Sequence, residues 1–172
     1  MTALTGSRAF GILALRLITG WVFLFAGLQK VLAAEPFSAV GFLSFGTAGT
    51  AEGAVEGAIV NPTNAFWVSL AGNGQLMDVI NFVVPFGQIG IGVALILGLA
   101  TRFAAVMGFL MMAGFTIAAW DFAHGVINYT AIVGLTALIL GVIRAGHVYG
   151  VDAIVDEQPI VKRNPALRYV LG

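Results

Sequence analysis

Apolar residues fill four long stretches of this chain, and the polar positions collect mainly between them. The stretches run from Phe10 to Ala34, Met77 to Ala100, Phe103 to Trp120 and Val126 to Ile143. A helix needs roughly 20 apolar residues to cross the hydrocarbon layer of a bilayer. Each stretch is therefore a candidate span. The last two are short for that task, so they should stand upright or extend into their flanks.

Between the first two stretches lies an excursion, residues 35–76. It is too long for a turn and too apolar for a solvated loop. Phe37, Val40, Phe42, Leu43 and Phe45 form a greasy run, broken by a Gly/Ala/Thr-rich segment from Gly46 to Gly57. Asn61-Pro62-Thr63-Asn64 then reads as a turn and helix start, with Thr63 or Asn61 as cap. A short helix over Ala65–Ala71 follows, ended by Gly72-Asn73-Gly74. Two short interfacial or re-entrant pieces are expected at one mouth of the bundle. They would serve as an aromatic anchor at headgroup level or as a lid over a site.

Composition sharpens this pattern into a class. The chain is 59% hydrophobic and 9% charged, and its mean hydropathy is +0.99. A soluble domain carries about 25% charged residues, so this chain cannot cover a water-facing surface. The expected fold is all-α: a polytopic membrane protein built as a four-helix antiparallel transmembrane bundle. Residues 1–152 form that domain and 153–172 a polar cytoplasmic tail, broken by Pro159 and Pro165. The lipid bilayer is the main partner. Net charge is zero, and no basic tract suggests nucleic acid. The absence of cysteine excludes disulfides, thiol relays, iron–sulfur clusters and Cys-ligated zinc from this chain. With two histidines, His124 and His147, no metal site is expected.

Charge then gives orientation. Arg8 and Arg16 begin the first stretch, Arg102 turns between the second and third, and Arg144, Lys162, Arg163 and Arg168 follow the fourth. Positive residues stay cytoplasmic, so both termini are expected inside. Val31-Leu32-Ala33 resembles a signal-peptide cleavage site. The apolar run before it is too long for an ordinary signal peptide, and Gln29-Lys30 interrupts it. The first helix is therefore expected to stay uncleaved. Lys30 is the one basic residue on the outer side.

Helical spacing puts Arg16, Gly20, Phe23, Gly27 and Lys30 on one face, with glycines where helices approach closely. Asp78, Asn81, Pro85, Gln88 and Gly92 share a face of the second stretch, and Pro85 should kink it. Thr116, Trp120, Asp121, His124 and Asn128 cluster around the third connection. Lys30, Asp78, Asn81, Asp121, His124 and Asn128 fall at one depth, near the outer boundary. The cytoplasmic half reads as nearly devoid of polar side chains apart from Thr and the flanking Arg residues. An ionisable residue within the membrane points to function by default. The plainer alternatives are a snorkelling Lys30, an Asp121 that caps or pairs, an exposed His124 and a Gln88 that glues helices.

RLITGWVFLFAGLQK at Arg16–Lys30 and GQIGIGVALILGLATR at Gly87–Arg102 resemble the DoxX/DoxD family of small four-helix membrane proteins. NPTNAFWVSLAGNG at Asn61–Gly74 is more like the DoxD branch. That branch is named for the membrane subunit of thiosulfate:quinone oxidoreductase. The likeness covers most of residues 8–152. Family members often carry a Glu where this chain has Gln88, so a titratable group is lost there. The resemblance implies a quinone-linked role in a multi-pass protein of a prokaryotic plasma membrane. The expected site is a quinone or small-solute pocket near the outer leaflet. Lys30 would donate to the ligand, Asn81 and Gln88 would add polar contacts, and Trp67 and Trp120 would supply walls. Asp121 or His124 would exchange protons with the outer phase. Electrons would come from a second membrane or extracytoplasmic redox subunit, and a homo-oligomer is a further expected partner. The rival is a non-catalytic anchor or scaffold for a redox or stress-response partner. A small-molecule carrier is the third reading, weakened by the lack of a visible inverted repeat.

Overall fold

A computed structural model describes residues 6–44, 47, 61–120, 127–164, 167 and 169–171. Asp121 and His124, the expected proton-exchange pair, lie outside the described residues. Among the described residues eight α-helices follow in order: α1 Gly6–Val31, α2 Val40–Ser44, α3 Asn64–Ala71, α4 Gly74–Leu97, α5 Thr101–Ala118, α6 Tyr129–Val142, α7 Val151–Asp156 and α8 Pro159–Arg163. No strand occurs among the described residues.

Capping chemistry moves several boundaries from where apolar runs place them. The Asn73 side chain accepts the Leu76 N–H, so α4 starts three residues before Met77. Gly98 ends α4 in the left-handed region at φ 66°, and the chain reverses into α5 at Thr101. The Asn128 side chain accepts the Ala131 N–H, which delays α6 to Tyr129. α1, α4 and α5 are long and apolar enough to cross a membrane. α6 has 14 residues, a length of about 21 Å against a hydrocarbon core of about 30 Å. The fourth apolar helix is thus shorter than the other three.

Glycines set the helix spacing. A Cβ on Gly20 would meet Ile96 and the Gly92 carbonyl, and one on Gly27 would meet the Pro85 carbonyl at 2.7 Å. α1 and α4 therefore lie antiparallel at close approach, along the face read from the sequence. Pro85 sits within an unbroken α4. α5 and α6 pack the same way, with Gly134 against Met112 and Gly141 against Ala105. Phe23, fully buried, fills the centre against Ile91, Leu95, Met112 and Ala137. Large apolar side chains such as Ile18, Phe82, Leu110 and Ile132 cover the outside. Water does not tolerate such a surface, and lipid does.

Two of the short helices, α2 and α3, gather at the Lys30 end. A polar knot ties them there. Asn61, buried, donates to the Ile117 and Ala118 carbonyls at 3.0 and 2.8 Å. Its Oδ1 accepts from the Thr63 N–H and hydroxyl. The Trp67 indole donates to Thr63 Oγ1, and Asn64 donates to Thr47 Oγ1, both at 2.8 Å. Thr63 occupies the cap position of α3 without a side-chain capping bond. The expectation of a Thr63 or Asn61 cap is corrected on this point: Asn61 forms a local turn with Thr63 and staples it to the end of α5.

Candidate functional site

The bundle has two polar ends of different character. At one, a cavity of about 570 Å³ lies beneath α2 and α3. Lys30 from α1 borders it. Phe37 and Phe42 come from the chain around α2, Trp67 from α3, Ile80 from α4, and Gly114 from α5. Phe42, Val83, Met107 and Leu110 line this space and are also exposed on the outside of the bundle. The cavity therefore opens sideways between α2, α4 and α5. Its size suits a drug-sized or cofactor-sized molecule.

Lys30 is half-buried. Its Nζ donates to the Ala26 carbonyl at 3.1 Å and sits 5.6 Å from the centroid of the Phe37 ring. One of its three N–H groups is thus engaged within its own helix, and the ring face adds a cation–π contact. Thr130 also borders the cavity, but its hydroxyl donates to Asn128 or pairs with Thr116. Gly114 borders it with open space where a Cβ would stand.

The structure brings only part of the expected set together. Lys30 and Trp67 share the cavity. Asn81 reaches instead to the backbone, its Oδ1 accepting the Ala39 N–H at 2.8 Å. That bond fastens the start of α2 to α4. Gln88 is buried, and its Oε1 has no hydrogen-bond partner among the described residues, but it does not border the cavity. Trp120 is partly buried and lies outside the lining. Asp78 is exposed. No group of three or more His, Asp or Glu side chains forms a metal site among the described residues.

At the opposite end, Arg16, one of the flanking Arg residues excepted from the apolar reading, is buried together with Asp152, which lies beyond the four spans. Arg16 is 1% exposed and Asp152 is fully buried. Arg16 Nη1 donates to the Ala145 and Val148 carbonyls at 2.7 and 2.9 Å, and Nη2 to Tyr149 at 3.3 Å. Asp152 accepts the Ala100 and Thr101 N–H groups at 2.7 and 2.9 Å, and its own N–H donates to Gly98. Ala100, Arg144 and Tyr149 all hold positive φ here. Such backbone costs about 1–2 kcal/mol per residue, and the Arg16 and Asp152 bonds hold two of the three in place. Gly98, Gly146 and Gly150 leave room for these side chains. Residues past Asp152 also pack rather than trail. Val161 and Leu171 are buried, and the Phe103 N–H donates to Val170. The sequence signal was available: Arg16 shares its face with Gly20 and Gly27, and GLATR at 98–102 joins glycine to a tight turn. Asp152 carried no such signal.

These features define a class, a multi-pass helical membrane protein with a laterally open apolar cavity at one end and, at the other, a buried lock of Arg16 and Asp152 hydrogen bonds to the backbone. Within that class the chain belongs to the DoxX family, whose profile matches residues 11–125, more than half its length. Searches of curated proteins and of solved structures returned no match.

Proposed function

We propose that this chain is the quinone-binding membrane subunit of a redox assembly, of the DoxD type that couples thiosulfate oxidation to the quinone pool. Both termini would face the cytoplasm of a prokaryotic cell, with the Lys30 cavity in the outer leaflet. One observation carries the reading: an apolar cavity of about 570 Å³ opens between α2, α4 and α5 and has a lysine on its border. A quinone reaches such a site by diffusion within the membrane. Lys30 would donate to a ring carbonyl, and Phe37 and Trp67 would wall the ring. The cysteine-free chain offers no thiolate for an iron–sulfur centre, so a partner subunit would deliver the electrons.

A second reading has its own support. The Asn61 knot makes a fixed platform of α3, on which Phe66 is 61% exposed. A scaffold that docks an extracytoplasmic partner would present such a surface. The test is isolation from native membrane without exchange of lipids, followed by mass spectrometry. The proposal expects a bound quinone and a redox protein in the preparation, with the quinone lost in Gly114→Leu. The protein recovered alone, with neither, contradicts it.

A further inference from the structure

We infer that the Lys30 cavity selects its ligand by head-group charge and prefers an ionised lipophilic acid over a neutral molecule with the same tail. The inference rests on the same cavity as the quinone reading but concerns what the cavity recognises. Among the described residues that line it, three carry side-chain polar hydrogens: Lys30, Trp67 and Thr130. The Trp67 indole N–H is committed to Thr63. The Thr130 hydroxyl has one proton, taken by Asn128 or Thr116. Lys30 has three N–H groups and gives one to Ala26. Its remaining donors are the ones open to a ligand.

A cation among apolar walls reads one polar group and no more. A ligand with a single acceptor end and an apolar body meets every demand of this space. A second acceptor carried inside would lose water without finding a donor. Charge decides among one-headed ligands, because a bond from an ammonium to an anion is roughly twice as strong as a neutral one. The walls lower the local dielectric and deepen that difference. The lateral opening at Phe42, Val83 and Leu110 lets a tail enter from lipid while the head stays at Lys30. A neutral quinone fits by one carbonyl, with its other carbonyl toward the mouth.

Trp67 reports occupancy directly, since it borders the cavity. The probe is a terminally brominated undecanoate, whose bromine quenches indole fluorescence on contact. Its methyl ester is the neutral control. Both are added to the full chain carrying Trp21→Phe and Trp120→Phe, in phosphatidylcholine nanodiscs at a pH that ionises the acid. The acid should half-saturate quenching at about a 10-fold lower mole fraction in the membrane than the ester. Lys30→Met should shrink that gap to about 2-fold, and Gly114→Leu should abolish saturable quenching by both. Equal affinity in the parent chain, or a preference that stays near about 10-fold in Lys30→Met, overturns the inference.

A decyl-benzoquinone competitor separates this claim from the quinone reading. If the acid binds with the stated preference and the quinone does not displace it, charge selection stands and the quinone assignment falls. If the quinone binds and the acid does not, the assignment stands and charge selection falls.

Discussion

The Arg16 guanidinium donates to the Ala145 carbonyl at 2.7 Å, joining residues 129 positions apart. The same group holds Val148 and Tyr149, while Asp152 holds the turn before α5. Truncation would leave buried carbonyls without donors. Arg16→Met should therefore cost about 3 kcal/mol of stability. Arg16→Lys should restore little, because a point ammonium cannot reproduce the planar fork. Asp152→Ala should couple non-additively with Arg16→Met. Thermal unfolding in detergent measures all three, and additive or negligible losses would refute the lock.

Close approach of α1 and α4 gives a paired test. A Cβ on Gly92 would stand 2.5 Å from the Leu24 backbone nitrogen, whereas one on Gly90 meets nothing within 4 Å. Gly92→Leu should lower stability by more than about 3 kcal/mol through overpacking. Gly90→Leu should change it by less than about 0.5 kcal/mol. Equal effects in a thermal-shift assay would mean the helices are spaced differently.

Asn61 binds the excursion to α5, so Asn61→Ala should loosen α3 without unfolding the bundle. The expected loss is about 1–3 kcal/mol locally. Hydrogen exchange at Phe66 and Trp67 should accelerate, while the centre of α4 stays protected. Uniform acceleration along the chain would show instead that the knot supports the whole fold.

Orientation is open to direct test because the chain has no cysteine. Positive-inside reasoning predicts that Ser38→Cys reacts with a membrane-impermeant maleimide in intact cells. Ser7→Cys should react only after lysis. The reverse pattern would invert the topology.

The helix faces were legible because small residues recur at helical spacing: Gly20 and Gly27, with the buried Phe23 between them, lie where the sequence puts them. Lys30 was legible as an exception to the charge pattern. A pocket was expected at Lys30 and Trp67, but its other walls were not legible, because Met107, Leu110 and Phe115 look the same in sequence whether they face lipid or a pocket. Asn81 and Gln88 were read as ligand contacts from their depth alone. Depth does not reveal that Asn81 is taken by the Ala39 backbone or that Gln88 lies outside the cavity lining. The Arg16 lock was missed for another reason. Its partners are mostly backbone carbonyls and N–H groups, and every residue but proline carries both. Asp152, at the start of α7, read as the last residue before a polar tail.

Photolabelling with an azido-quinone tests the central claim most directly, that the Lys30 cavity takes a quinone. Labelled protein in native-lipid nanodiscs is digested and the modified residues are mapped by mass spectrometry. The account predicts adducts on the lining side chains Leu43, Trp67, Met111 and Phe115, suppressed by excess unlabelled quinone and lost in Gly114→Leu. Adducts confined to the outer surface, at residues such as Phe82 and Phe86, and insensitive to competitor would contradict it.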